Sequence, residues 1–268
     1  AASCTHEEQA AQTTSIVDTV AYRGLTPGEE YVVEGALMDR ATGEPLVDAQ
    51  GTEVVAQTTF TPDTPDGTVE VAFAFDGTGL AGTTAVAFER LLRDGTEVAV
   101  HADLEDDAQA VSLVAIETAA YDKASGSHRA QVSPETVVVD TVAYRGLTPG
   151  EEYVLEGVVV AQGDGVALTD ATGAAVTSSV SFVPEAPDGS VEVEFAFDST
   201  NLQGASAVVC ENLLRDGTVV ASHADLDDAA QTVSWPEPRI PTTGDGAAVV
   251  AAGAAAIVVV NRNERRIR

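Results

Sequence analysis

The stretch that decides the fold is Asp18–Val32, DTVAYRGLTPGEEYV, which returns unchanged at Asp140–Val154. The second copy begins 122 positions after the first, and this offset holds without a gap along the rest of the unit. The same offset relates PDG at Pro65 and Pro187, FAFD at Phe73 and Phe195, LLRDGT at Leu91 and Leu213, and HADL at His101 and His223. A repeat of this length corresponds to a whole domain, so the chain is predicted to contain two copies of one domain.

Short strand-like segments separated by turn signals fill both copies. Thr68–Phe75 (TVEVAFAF) and Ser190–Phe197 (SVEVEFAF) alternate polar and apolar residues, which is the period of a half-buried strand. Turn-forming sequences such as LTPGEE, PDG and RDGT separate such segments, and neither copy shows a helical period. This pattern predicts an all-β fold of two tandem immunoglobulin-like β-sandwich domains.

The domain boundaries are predicted at residues 1–112, 113–235 and 236–268. No Gly/Ser-rich linker lies near residue 112, so the two β-sandwich domains are expected to follow each other stiffly, end to end. After Trp235 the sequence PEPRIPTTGDG predicts an extended linker. The uncharged run from Gly246 to Val260 is predicted to form a short apolar helix, ahead of the basic tail NRNERRIR.

The charge balance restricts the partners of this protein. The chain has 43 acidic and 13 basic residues, for a formal net charge of −30. Nucleic acids and anionic membranes both require basic patches, so neither is an expected partner. Because the acidic residues are scattered among apolar ones, the composition indicates a soluble, folded surface rather than disorder.

The C-terminal tail resembles a Gram-positive cell-wall sorting signal. A five-residue motif, an apolar run and an arginine-rich end follow one another, and the motif consists of Ile240, Pro241, Thr242, Thr243 and Gly244. The family consensus begins with Leu, and Ile240 departs from it. The resemblance implies that sortase cuts after Thr243 and joins it to peptidoglycan. It therefore implies an extracellular, wall-attached protein whose C-terminal segment lies only transiently in the membrane.

Acidic and amide side chains are predicted on apolar strand faces. Asp140 alternates with Val138, Val142 and Tyr144, so it shares their face of the strand. Such groups are costly to bury unless they are paired or hydrogen-bonded. The set recurs in both copies, as Asp18, Glu89, His101 and Gln109 in the first and as Asp140, Glu211, His223 and Gln231 in the second. This repetition favours a functional role over a purely structural one.

Both copies resemble the VaFE repeat of Gram-positive surface proteins. The resemblance rests on Ala85–Val111 (AVAFERLLRDGTEVAVHADLEDDAQAV) and on Ala207–Val233 (AVVCENLLRDGTVVASHADLDDAAQTV), and it covers nearly all of residues 1–235. It implies an intramolecular ester bond between a Thr and a Gln side chain. The family's threonine lies on the first strand in a pattern like I-x-T-x-A, which Ile116–Ala120 matches, so Thr118 is the implied partner of Gln231.

The resemblance suggests a role for each residue of the second copy. Thr118 would be the nucleophile and Gln231 the acyl donor. His223 with Asp140 would transfer the protons, and Glu211 would polarise or orient the amide. Asp140 is assigned from strand parity. Asp39 remains open as the essential acid, and the second copy has Ala161 at its position. The reaction occurs once per molecule and needs no cofactor, so the protein is not expected to be an enzyme.

The first copy lacks the threonine strand, because the position 122 residues before Thr118 precedes the first residue of the sequence. Thr5 is nearby but out of register. The first copy is therefore predicted to hold a remnant site of Asp18, Glu89, His101 and Gln109 without an ester bond, unless another segment supplies the strand.

Four functions are compatible with these patterns. The first is a wall-anchored adhesin or pilin-like stalk, with sortase, peptidoglycan and an unidentified host or neighbouring-cell ligand as partners. The second is a ligand-binding surface module for a host protein or glycan, without a cross-link. The third is a hydrolase using His223 and Glu211. The fourth, a Lys–Asn isopeptide domain, is disfavoured because Lys123 is the only lysine for two repeats.

Overall fold

A computed structural model describes residues 6–238, 250–252 and 255–257. These residues form β-strands, turns and one 3₁₀ turn at Asp107–Gln109, and no α-helix occurs among them. The prediction of an all-β chain with two β-sandwich domains is therefore confirmed. We call residues 6–112 domain 1 and residues 113–235 domain 2.

Domain 1 consists of two packed sheets. Its strands are β1 (Glu7–Gln9), β2 (Thr14–Tyr22), β3 (Tyr31–Asp39), β4 (Val55–Phe60), β5 (Gly67–Phe75), β6 (Thr84–Arg93), β7 (Thr96–His101) and the first part of β8 (Ala110–Asp122). One sheet has the order β4-β3-β6-β7, and the other contains β2 and β5. Apolar residues that alternate along these strands, such as Val33, Val71 and Phe73, form the core between the sheets.

Domain 2 repeats this arrangement and adds one strand. Its strands are the rest of β8, then β9 (Thr136–Arg145), β10 (Tyr153–Ala161), β11 (Thr177–Phe182), β12 (Gly189–Phe197), β13 (Ser206–Arg215), β14 (Thr218–His223) and β15 (Thr232–Ser234). One sheet has the order β11-β10-β13-β14, with β15 also on β13, and the facing sheet has the order β12-β9-β8. Tyr153, Phe195 and Trp235 are the largest buried side chains of the core.

A single strand, β8, belongs to both domains. Its first residues, Ala110–Ser112, pair with β6 of domain 1, and Ala115–Asp122 pair with β9 of domain 2. The predicted boundary between residues 112 and 113 therefore falls inside a continuous strand. Because this strand is continuous, the two domains are connected directly and without a linker.

The short helix predicted for Gly246–Val260 is not found in the part of that segment that the structure describes. Six of its residues pair as two antiparallel strands, β16 (Val250–Ala252) and β17 (Ala255–Ile257). Within the described residues, no helix has the length and apolar character needed to cross a membrane. The motif Ile240–Gly244 lies outside the described residues.

Candidate functional site

Two acidic residues from opposite sheets lie inside domain 2. Asp140 is on the central strand β9, where it is opposite Ala120 of β8, and it is fully buried. Glu211 is on β13, opposite His223 of β14, and is 2% exposed. Successive side chains of a strand point to opposite faces of the sheet. Both carboxyl groups therefore point into the sandwich together with the apolar side chains two residues away, as predicted.

The nucleophile and the acyl donor predicted from the sequence both reach this pair. Thr118 is buried on β8. It lies close to Glu211: burial and Asp140 raise the pKa of Glu211, whereas Thr118 acts in the opposite direction. Gln231 is fully buried immediately before β15, and its Nε2 donates to Asp140 Oδ1 at 3.4 Å. The amide of Ala120 donates to the carbonyl of Ala230 at 2.8 Å. The first strand of domain 2 is thus tied to the segment that presents Gln231.

Burial sets the protonation of the two carboxyl groups. Burial and the neighbouring Asp140 raise the pKa of Glu211 to about 11. Burial also raises the pKa of Asp140, although Glu211 and Gln231 act in the opposite direction. Two carboxylates this close cannot both ionise in a low-dielectric interior. At neutral pH Glu211 therefore holds a proton and is a neutral acid that can donate a hydrogen bond.

His223 lies at the edge of the site and is held there by Asp228. Its Nε2 is 3.0 Å from Asp228 Oδ2. Asp228 also shapes the turn that presents Gln231, because its carbonyl accepts from the amide of Gln231 and its Oδ1 accepts from the amide of Ala230. Asp228 belongs to the motif that carried the resemblance, yet its role was not predicted. The sequence feature that could have indicated this role is the position of Asp228, five residues after His223.

Buried polar atoms without a hydrogen-bond partner concentrate at this site and its equivalent in domain 1. Eight of the ten such side-chain atoms among the described residues lie there, on Asp18, Glu89, Gln109, Thr118, Asp140, Glu211 (both oxygens) and Gln231. Folded proteins rarely leave such atoms unpaired, and exceptions often mark reactive groups. The two sites are therefore the strongest candidates for chemistry in the described part of the chain.

The alternative acid, Asp39, lies elsewhere. It ends β3, and its Oδ1 accepts from the amide of Ala41 in a tight turn. Asp140, in contrast, is hydrogen-bonded to Gln231. Of the two acids considered from the sequence, only Asp140 contacts the side-chain amide of Gln231 among the described residues, whereas Asp39 belongs to a turn of domain 1.

Domain 1 assembles the equivalent site without the threonine. Asp18 is on β2, Glu89 on β6 and His101 on β7, and Gln109 follows in the 3₁₀ turn. Burial, together with the neighbouring Asp18, raises the pKa of Glu89 to about 8. His101 Nε2 is 3.1 Å from Asp106 Oδ2, as His223 is held by Asp228. Among the described residues, β2 pairs only with β5, so no strand brings a threonine beside it.

Comparison with known protein families agrees with this duplicated site. A family model described as "T-Q ester bond containing domain" matches residues 2–113 and 114–235. The search of curated proteins gives no significant match.

Similar solved structures include a bacterial adhesin from Mobiluncus mulieris that contains disulfide, isopeptide and ester cross-links. It is 15% identical over 46% of this chain and 57% of its own length, with a TM-score of 0.39. A putative β-galactosidase from Bacteroides fragilis is 10% identical over 95% of this chain and 36% of its own, with a TM-score of 0.33. With TM-scores this low, these similarities support no argument about function.

Proposed function

Because the chain belongs to the family of T-Q ester bond containing domains, we propose that it is a surface adhesin or stalk stiffened by an ester bond between Thr118 and Gln231. The convergence of Thr118, Asp140, Glu211 and Gln231 in one buried site carries this proposal. The reaction happens once in each molecule, so it is a maturation step and not enzymatic turnover.

The positions of the side chains suggest the steps. Asp140 takes the hydroxyl proton of Thr118, whose Oγ1 attacks Cδ of Gln231. As the reaction proceeds, the protonated Glu211 donates a hydrogen bond to Gln231 Oε1 and stabilises the developing negative charge; in the structure neither Gln231 Oε1 nor a carboxyl oxygen of Glu211 has a partner among the described residues. Asp140, already bonded to Gln231 Nε2, returns the proton to this nitrogen. The C–N bond breaks, ammonia leaves and the ester remains.

The proposed bond joins the first strand of domain 2 to the start of its last strand. Thr118 lies on β8, and Gln231 immediately precedes β15. A covalent tie across such a long loop stabilises a domain by about 2–5 kcal/mol if it acts as a disulfide does. It also prevents the end strands from separating when the chain is pulled, which suits a stalk.

Attachment to the cell wall through Thr243 is the second part of the proposal. It rests on the order of the sequence features alone: the IPTTG motif, an apolar run and an arginine-rich end. Sortase-dependent joining of the chain to an added amine should occur and should be lost in Thr243→Ala. Equal joining in the variant would exclude this site.

Intact-mass measurement of the purified chain tests the ester bond. The mass should be lower than the sequence mass by one ammonia, and peptide mapping should place the cross-link between Thr118 and Gln231. Thr118→Ala should restore the full mass, whereas Thr177→Ala, at an exposed threonine of the same domain, should not. Full mass in a folded wild-type sample would refute the proposal.

A further inference from the structure

The four-stranded sheet of domain 1 has a groove of about 670 Å³ on the side that faces away from the core. Two rows of side chains form its floor, and each row crosses the strands β4, β3 and β6 in that order. The first row consists of Val55, Ala36 and Phe88, and the second consists of Gln57, Glu34 and Arg90. We call these six residues the outer face of domain 1.

The first row of the outer face is apolar and open to solvent. Val55 is 63% exposed and Phe88 is half-buried, and the small Ala36 lies between them. Val100 on β7, which is also 63% exposed, extends the second row beyond Arg90. Large apolar side chains that cluster on an exposed surface mark a contact with another molecule.

The second row carries an ion pair. Arg90 Nη2 lies 2.6 Å from Glu34 Oε2, and both side chains remain partly open to solvent. The six residues therefore have no net charge, on a chain whose formal net charge is −30. Because two copies of so acidic a chain repel each other, a neutral face is where they can approach most closely.

Domain 2 has a groove at the equivalent place, of about 550 Å³, but its lining is different. Its strands pair in the same register as those of domain 1. At the positions of Val55, Phe88 and Arg90, domain 2 has Thr177, Cys210 and Asn212. The fold therefore does not require the apolar and charged residues of the outer face, and the difference indicates a contact that domain 1 alone makes.

The outer face is complementary to itself. A twofold axis that runs along the strands, between β3 and β6, places β3 of a second copy over β6 of the first. Phe88 of each copy then lies over Ala36 of the other, so that a large side chain meets a small one. The same rotation places Arg90 of each copy over Glu34 of the other, so that opposite charges meet.

We propose that domain 1 binds a second copy of this chain through the outer face, with the two sheets packed face to face around this twofold axis. The strands of two aligned sheets cross at about 30°, which the axis allows. The axis leaves both copies pointing in one direction, because β8 lies in the same sheet and continues into domain 2. Two copies attached to one cell surface have this orientation, and that last step rests on the proposed function.

Sedimentation equilibrium of the full chain tests the association. At an ionic strength of about 0.15 M, the apparent mass should rise with concentration from that of one chain to that of two. A chain that stays monomeric up to about 1 mM would overturn the proposal. The intact mass of the same samples reports the ester bond separately, so the two proposals can fail independently.

Glu34→Arg tests whether the outer face is the surface that associates. The substitution brings arginines of the two copies together and should weaken dimerisation by about tenfold or more. The matched control is Glu156→Arg, at the equivalent exposed glutamate of domain 2, which should associate as the wild type does. Equal weakening by the two substitutions would exclude the outer face.

A mixture of Glu34→Arg and Arg90→Glu chains tests the arrangement of the two copies. Each variant repels itself, but the rotation places arginines of one over glutamates of the other. Each should therefore be monomeric alone, and the mixture should form a one-to-one dimer. Both variants lack the ion pair within one copy, so only pairing between copies explains the rescue. A mixture that sediments as monomers would refute the twofold arrangement.

Discussion

Glu89 and Glu211 occupy equivalent positions, but their surroundings differ. Burial and a neighbouring aspartate raise the pKa of Glu211 to about 11 and that of Glu89 to about 8. The second half of β8 covers the site of domain 2, whereas no corresponding strand pairs with β2 in the described part of domain 1. The smaller rise in the pKa of Glu89 is the expected consequence of greater access to water.

Glu89 should make domain 1 less stable as the pH rises. A carboxyl group with a raised pKa keeps its proton in the folded state after the unfolded chain has lost it. The stability present below about pH 4.5 is therefore lost progressively up to about pH 8. Glu89→Gln should remove this loss and stabilise domain 1 at pH 8 by on the order of 3 kcal/mol relative to its effect at pH 4. Urea unfolding at both pH values measures the difference.

The matched control for Glu89→Gln is Glu97→Gln, at an exposed glutamate on β7. This control should change the stability by less than about 0.5 kcal/mol at either pH. If Glu89→Gln had the same effect at pH 4 and pH 8, the raised pKa would be contradicted.

At the scale of elements, the close packing of β10 against the core positions Glu211. Gly157 on β10 is opposite Glu211, and a Cβ there would stand 2.5 Å from the ring of Phe195. Gly157→Ala should therefore destabilise domain 2 by about 1–3 kcal/mol through overpacking. Thermal unfolding should be measured in a Thr118→Ala background, so that a cross-link does not mask the effect.

Gly163→Ala is the control for Gly157→Ala, because a Cβ at Gly163 meets nothing within 4 Å and its backbone needs no positive φ. We expect this control to be neutral or slightly stabilising. Equal destabilisation by the two substitutions would show that contact with Phe195 is not the cause.

At the scale of the whole molecule, β8 and the side chains of Glu7 and Gln9 join the two domains. Gln9 Nε2 donates to the carbonyl of Ser222 at 2.8 Å, and Glu7 accepts hydrogen bonds from domain 2. Glu7→Ala leaves Thr148, Tyr153 and Arg215 without their shared acceptor, which should cost about 1–3 kcal/mol at the junction. The pKa of Tyr153, raised to about 12 by burial and by Glu7, should fall in this variant. Small-angle X-ray scattering should show a wider range of interdomain arrangements.

Glu8→Ala is the control for the junction, because the neighbouring Glu8 is half-buried and, among the described residues, its side chain makes no hydrogen bond to domain 2; its backbone pairing with β8 does not depend on the side chain. It should leave the scattering curve unchanged. Scattering from Glu7→Ala that matched the wild-type curve would show that the contacts of Glu7 are not needed to maintain the orientation.

Periodicity and repetition made much of this molecule predictable. The two-residue alternation of TVEVAFAF and the turn signals around it indicated strands, since both depend on local chemistry. The exact recurrence of the Asp, Glu, His and Gln positions indicated a site. The sequence predicts a C-terminal helix, but the described residues of that segment pair as two strands. A short run of Gly, Ala and Val has no periodicity that distinguishes a helix from a strand.

The sequence by itself determined the duplication and the family, and it predicted Thr118 and Gln231 as partners, because each is marked by a pattern that occurs twice or matches a motif. Only the tertiary structure decided that β8 is shared, that Asp140 contacts Gln231, and that Glu7 is hydrogen-bonded to side chains of domain 2. The contacts of Glu7 join residues about 140–210 positions apart, and the second copy has Arg129 in place of this glutamate. No local pattern or repeat records such a contact, because it arises only when two folded surfaces meet.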